Sequence, residues 1–173
     1  MEALRALATA PAEERLRLVT ALTEAEAEFS FGAAAEVTAM HCDAAARLAE
    51  LFAYGTLSEA GGIELSTQQW HKLQLLSLLS AVAGKASVSF EEVGAACQVS
   101  QQDEAEALVM AAVVRGILDC KMDVATGRIS VHSARARDLR PADVGKAAEH
   151  LRDWLHTMRA VEGRVGHRHG KME

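Results

Sequence analysis

The sequence predicts a mainly α-helical protein in which a helical-repeat segment leads into a winged helix with a small β-wing and then into a long C-terminal helix. Three features carry this prediction. Half of the 173 residues are hydrophobic while only 4% are aromatic, a balance that suits packed helices better than a β-sandwich. From Ser66 to Pro141 the pattern reads helix, short helix, longer helix, then two short β-branched runs. Beyond Pro141, apolar residues recur at spacings of three and four along one extended segment.

Taken in order, residues 2–9 and 12–28 have helical composition, with Leu16, Val19 and Leu22 near one face and Pro11 suited to a helix start. Phe29-Ser30-Phe31-Gly32 interrupts the pattern, and a short helix over 33–39 can follow. Residues 43–53 form a clearer helix, with Leu48, Leu51 and Phe52 on one side and Gly55 placed to end it. A loop containing Gly61-Gly62 then leads to Ser66. No period is sustained long enough to assign a repeat.

In the central stretch, Trp70, Leu73, Leu76, Leu78 and Leu79 give a broad apolar face. Two capping signals follow: Ser89 stands three residues before Glu92, and Ser100 three before Asp103. The runs 118–124 and 128–133 flank Ala125-Thr126-Gly127 and read as a hairpin, with glycine where positive φ is needed. Strand alternation puts Ile129 and Val131 on one face and Arg128, Ser130 and His132 on the other; the run is expected to be an edge strand whose backbone another strand can complete. Arg135, Arg137 and Arg140 make a basic connector, read as a solvated or acid-paired linker. Pro141 then opens a helix whose stripe of Val144, Ala148, Leu151, Leu155, Met158 and Val161 calls for a partner helix; Gly163, Gly166 and Gly170 are expected to end it in a tail. The expected division is 1–65 helical hairpins, 66–140 winged helix, 141–165 C-terminal helix and 166–173 flexible tail.

Several function classes are disfavoured. The longest apolar runs, such as Leu75 to Leu79, are far too short to span a membrane. Three glutamates among the first fourteen residues, with no apolar core, give no expectation of a signal peptide. Cys42, Cys97 and Cys120 are widely spaced and read as buried free thiols of a reduced compartment, cytoplasm or nucleus. A winged helix invites a nucleic-acid hypothesis, but the segment 101–115 sets Asp103, Glu104 and Glu106 against Arg115 alone, and the chain carries a net charge of −6. His167 and His169 have only Gly-Lys-Met-Glu after them, too few ligands for a catalytic zinc, and His150 and His156 are six apart and share no helix face. No catalytic, metal or cofactor site is expected.

The segments LFAYGT (51–56), ELSTQQWHKLQLLSLLSA (64–81), EAEALVMAAVVRGILDCKMD (104–123) and ARDLRP (136–141), in that order, closely resemble the subunit-seven family of the COP9 signalosome. Phe29 to Gly32 and Leu151 to Trp154 align in position with that family as well, so the resemblance covers roughly residues 28–162. One departure is Gly116-Ile117-Leu118-Asp119, which lacks the lysine of the family's turn into the wing, and the family's C-terminal tail is longer. The resemblance implies a PCI protein, helical repeats capped by a winged helix. It also implies a non-catalytic scaffold in the complex that removes NEDD8 from cullin-RING ligases, with the zinc chemistry in another subunit. Its partners would be other signalosome subunits, reached through the wing (Arg128, Ile129, Ser130, Val131) and through a shared helical bundle (Val144, Leu151, Leu155, Met158). The alternatives are a PCI subunit of the proteasome lid or of translation initiation factor three and, from another class, a nucleic-acid-binding winged helix; LFAYGT and ARDLRP favour the signalosome.

Overall fold

The computed structural model describes residues 2–169. The chain divides into two units, Met1–Asp138 and Leu139–Glu173. The first contains helices α1 (Glu2–Thr9), α2 (Ala12–Glu24), α3 (Gly32–Thr38), α4 (Ala44–Tyr54), α5 (Thr67–Val82), α6 (Phe90–Cys97) and α7 (Gln102–Val114), with strands β1 (Ser87–Ser89), β2 (Leu118–Asp123) and β3 (Arg128–Ala134). The second holds a 3-10 turn, Pro141–Asp143, and α8 (Val144–His169).

The N-terminal helices are joined by charge as well as by apolar packing. In α2 the buried line is Arg15, Val19 and Thr23, and Leu16, expected on the inner face, is exposed. Arg15 takes that place because its guanidinium reaches Asp43 at 2.7 Å, and Asp43 in turn caps α4 by accepting from Ala46 N at 3.0 Å. Burial alone would raise the Asp43 carboxyl; the Ala46 N–H and the Arg15 guanidinium outweigh it and hold that carboxyl below its ordinary range. Lys72 does the corresponding job at a helix C-terminus. Its ammonium donates to Ala25 O, at the end of α2, and sits 5.5 Å from the Phe29 ring. Desolvation pushes that ammonium below the usual lysine value.

Helix α5 is the centre of the first unit. Ser66 opens it with a capping box, accepting from Gln69 N while Gln69 Oε1 accepts from Ser66 N. Leu73, Leu75, Leu76, Leu78, Leu79 and Val82 are buried, so the helix is apolar nearly all round. Its one fully buried hydroxyl, Ser77, accepts from Leu57 N at 3.0 Å. Core residues run without interruption from Leu7 and Val19 through Phe52 and Leu76 to Val109 and Ile129, so residues 1–65 share one interior with the part of the expected 66–140 segment that lies in the first unit.

Of the two expected capping signals, Ser89 opens α6 with both reciprocal bonds to Glu92. Ser100 caps nothing: α7 begins one residue later, its N-cap is Gln101, and no side chain bonds there. The hairpin forms as expected, with Gly127 at φ 66°. The run 128–133, however, is not an edge strand. β3 is the middle strand of an antiparallel sheet ordered β1-β3-β2, paired with Ser87–Ser89 on one side and with all of β2 on the other. A three-residue strand such as β1 is too short to show alternation, so it left no signal to read. α8 also differs from expectation, passing through Gly163 and Gly166 to His169. Glycine costs about 1 kcal/mol in a helix without forbidding one. The last part of the expected tail, 170–173, and the side chains of His167 and His169 lie outside the described residues.

Candidate functional site

Arg137, part of the connector expected to be solvated or acid-paired, is instead bonded to two carbonyls and a hydroxyl of the first unit. Arg137 donates from Nη2 to Phe52 O at 2.8 Å and from Nη1 to Gly55 O at 2.6 Å and Ser80 Oγ at 2.9 Å. Phe52 O is one of the carbonyls at the end of α4 that no turn of helix follows, so the guanidinium acts as a remote cap. Burial lowers the Arg137 pKa from its ordinary value. The neighbouring Asp138 does the opposite task at α3, accepting from Phe31 N at 2.6 Å, Gly32 N at 3.0 Å and Ser30 Oγ at 2.8 Å. The pair therefore ties ARDLRP to LFAYGT on one side and to FSFG on the other.

Gly55 is explained by the same contact region. It ends α4 as expected, yet its φ of −87° with ψ 174° is open to any residue. A Cβ there would lie 2.8 Å from Leu51 Cδ1 and 2.9 Å from Leu51 O, which is what keeps the site glycine. These are bonds of architecture, and the sequence could not show them: Arg137 reaches partners 57 to 85 positions away.

The wing presents a different edge from the one expected. Ile129 is fully buried and Val131 half-buried against the core, while Arg128, Ser130 and His132 face out. The main chain of Arg128, Ile129 and Ser130 is engaged on both sides, and Val131 N donates to Ala86 O at 2.9 Å. The outer strand of the hairpin is β2, which carries Asp119, Lys121 and Asp123 outward with a bulge between Asp119 and Cys120. Alternating charges and a bulge are how an edge strand stays selective about what pairs with it.

Helix α7, the counterpart of a winged helix's groove-reading element, exposes Asp103 and Glu104 in its first turn, then Met110 and Val114. Acid and aliphatic side chains give phosphates nothing to bind. Burial pushes the Cys97 thiol up to about 12, which leaves it inert, and raises Cys120 as well; Cys42, expected to be buried, is exposed at φ 49°. Among the described residues no group of three His, Cys, Asp or Glu side chains could hold a metal ion, and no helix is long and apolar enough to cross a membrane.

In α8 the predicted stripe exists and lies open. Val144, Leu151, Leu155, Met158 and Val161 are all exposed, and so is Trp154 beside them. Six large apolar side chains on one helix at that level of exposure form a patch that soluble surfaces rarely leave bare.

The winged-helix core matches the family model of the PCI domain over residues 48–133, from the middle of α4 to β3. The chain is a PCI-domain protein. It is similar to COP9 signalosome complex subunit 7 of Drosophila melanogaster, with 27% identity over 116 residues, 64% of this chain. That stretch is 42% of the relative, so the chain matches less than half of the fly protein's length. The PCI match starts before the winged helix and takes in the second half of α4. The continuous core explains this, since α4 contributes Phe52, whose ring meets Phe31 edge-on at 5.5 Å, to the same interior as α5.

Proposed function

We propose that this PCI-domain protein is a non-catalytic scaffold subunit of a signalosome-type complex, serving cullin-RING deneddylation by holding neighbouring subunits in place. The observation that supports it best is the exposed stripe of α8, with Val144, Leu151, Leu155 and Met158 as its docking residues. Burying such side chains in a shared bundle contributes roughly 25 cal/mol per Å² of apolar area, enough over several residues to hold an assembly together. The wing's part in assembly, first assigned to Arg128, Ile129, Ser130 and Val131, passes to the outer strand β2, because β3 is already paired on both sides. A location in cytoplasm and nucleus belongs to the same reading.

The test is affinity purification of the tagged chain and of its Leu155→Asp variant, with mass spectrometry of what accompanies each. The wild-type chain should bring down signalosome-type subunits and the variant few or none, since an unpaired carboxylate in an apolar bundle costs several kcal/mol. Subunits of the proteasome lid or of an initiation factor in their place would reassign the complex. Equal recovery by both variants would remove α8 from the interface.

A further inference from the structure

The charges that border the α8 stripe restrict what can cover it. In heptad register, Leu151 and Met158 take d positions, Leu155 an a position, and Trp154 and Val161 the g positions. An apolar face of a, d and g is wider than the a/d seam of a two-stranded coil and fits a helix that touches two neighbours at once. The e positions on the other border are Arg152 and Arg159, both exposed, and neither forms an ion pair among the described residues.

A second copy of the chain is a poor occupant for such a face. Parallel self-pairing puts each e opposite the g of the preceding heptad, so Arg152 meets Ala147 and Arg159 meets Trp154 of the other helix, and neither finds an acid at that position. Antiparallel self-pairing puts e opposite e, arginine against arginine, a like-charge contact that penalises the wrong partner. We infer that α8 docks into a bundle of helices from other polypeptides whose flanking positions carry Asp or Glu, and that Arg152 and Arg159 select those helices over a second α8. The inference rests on α8 being the docking surface.

The probe is a pair of synthetic four-heptad peptides with Ile at a and Leu at d, one bearing Glu at every e and g position and the other Lys. Each peptide repels itself and stays monomeric. The full chain is used with Trp70→Phe, so that Trp154 alone reports docking by the blue shift of its emission. The Glu peptide should bind roughly tenfold or more tightly than the Lys peptide at low salt, with the gap narrowing as salt is added. The double variant R152E/R159E should reverse the preference, and the chain alone should sediment as a monomer. Equal affinity for the two peptides, or a preference the double variant does not reverse, overturns the selection by arginine while leaving α8 a docking surface. A dimer of the chain that Leu155→Asp dissolves also overturns it. Binding of neither peptide overturns both this inference and the docking role on which it rests.

Discussion

Helices α5 and α8 both carry leucines, and these meet opposite fates. In α5, Leu73, Leu75, Leu76, Leu78 and Leu79 are at most 2% exposed, whereas Leu151 and Leu155 of α8 are 62% and 45% exposed. The polar residues of the two helices account for the difference. Those of α5 include Gln69, Lys72 and Ser77, buried and each bonded inside the unit: Gln69 to Thr23, Lys72 to Ala25 O, Ser77 to Leu57 N. Those of α8 include Glu149, Arg152, Asp153 and Arg159, charged and exposed. A helix whose polar groups find partners within the fold belongs to that fold's interior. One with an apolar stripe and a charged remainder is completed by something outside it.

A matched pair of truncations gives the sharpest test of that contrast. Leu76→Ala removes a side chain that is 1% exposed and should cost about 3–5 kcal/mol in urea unfolding of the chain. Leu151→Ala removes one already in water and should change the same measurement by less than about 0.5 kcal/mol. Comparable losses from the two would mean that α8 is part of the chain's own cooperative core, and the contrast would collapse.

The next effect in size concerns the Arg137 contacts. Arg137→Ala leaves Phe52 O and Gly55 O without the guanidinium that reaches them and should destabilise the first unit by about 2–4 kcal/mol. Arg135→Ala, which gives up an approach of 5.8 Å to the Phe29 ring, should cost under about 1 kcal/mol. Hydrogen exchange should show the Arg137 loss as faster opening around α4. If the two arginines prove equivalent, the connector is a solvated linker after all.

How much of this was legible depended on how far each signal reaches along the chain. Element order, the Gly127 turn and the α8 stripe are written in spacings of two, three and four, and the structure has them. The bond from Arg137 to α4 and the burial of Lys72 each join residues at least 47 positions apart, so no local pattern announces them. The resemblance to a known family picked out LFAYGT and ARDLRP without saying why they belong together; the bonds from Arg137 to Phe52 O and Gly55 O supply the reason. The error over β3 has the same root. Whether a strand is an edge depends on a third strand elsewhere in the chain, and Ser87–Ser89 is only three residues long.

The smallest predicted effect separates two sites that look alike in the sequence. Ser89 and Ser100 each precede an acid by three residues at the start of a helix. At Ser89 the box closes: Glu92 N donates to Ser89 Oγ at 3.1 Å, Ser89 N donates to Glu92 Oε2 at 2.8 Å, and Lys85 adds an ion pair to Glu92 at 3.1 Å. At Ser100 the helix starts one residue too late, so the hydroxyl stands outside the turn it would cap. Ser89→Ala should therefore cost about 1 kcal/mol, a normal loss for an N-cap, and Ser100→Ala should stay within about 0.3 kcal/mol of wild type. Paired urea melts resolve a difference of that size. A loss at Ser100 equal to that at Ser89 would mean that α7 begins a residue earlier in solution and that the sequence pattern, and not the observed N-cap at Gln101, marks its start.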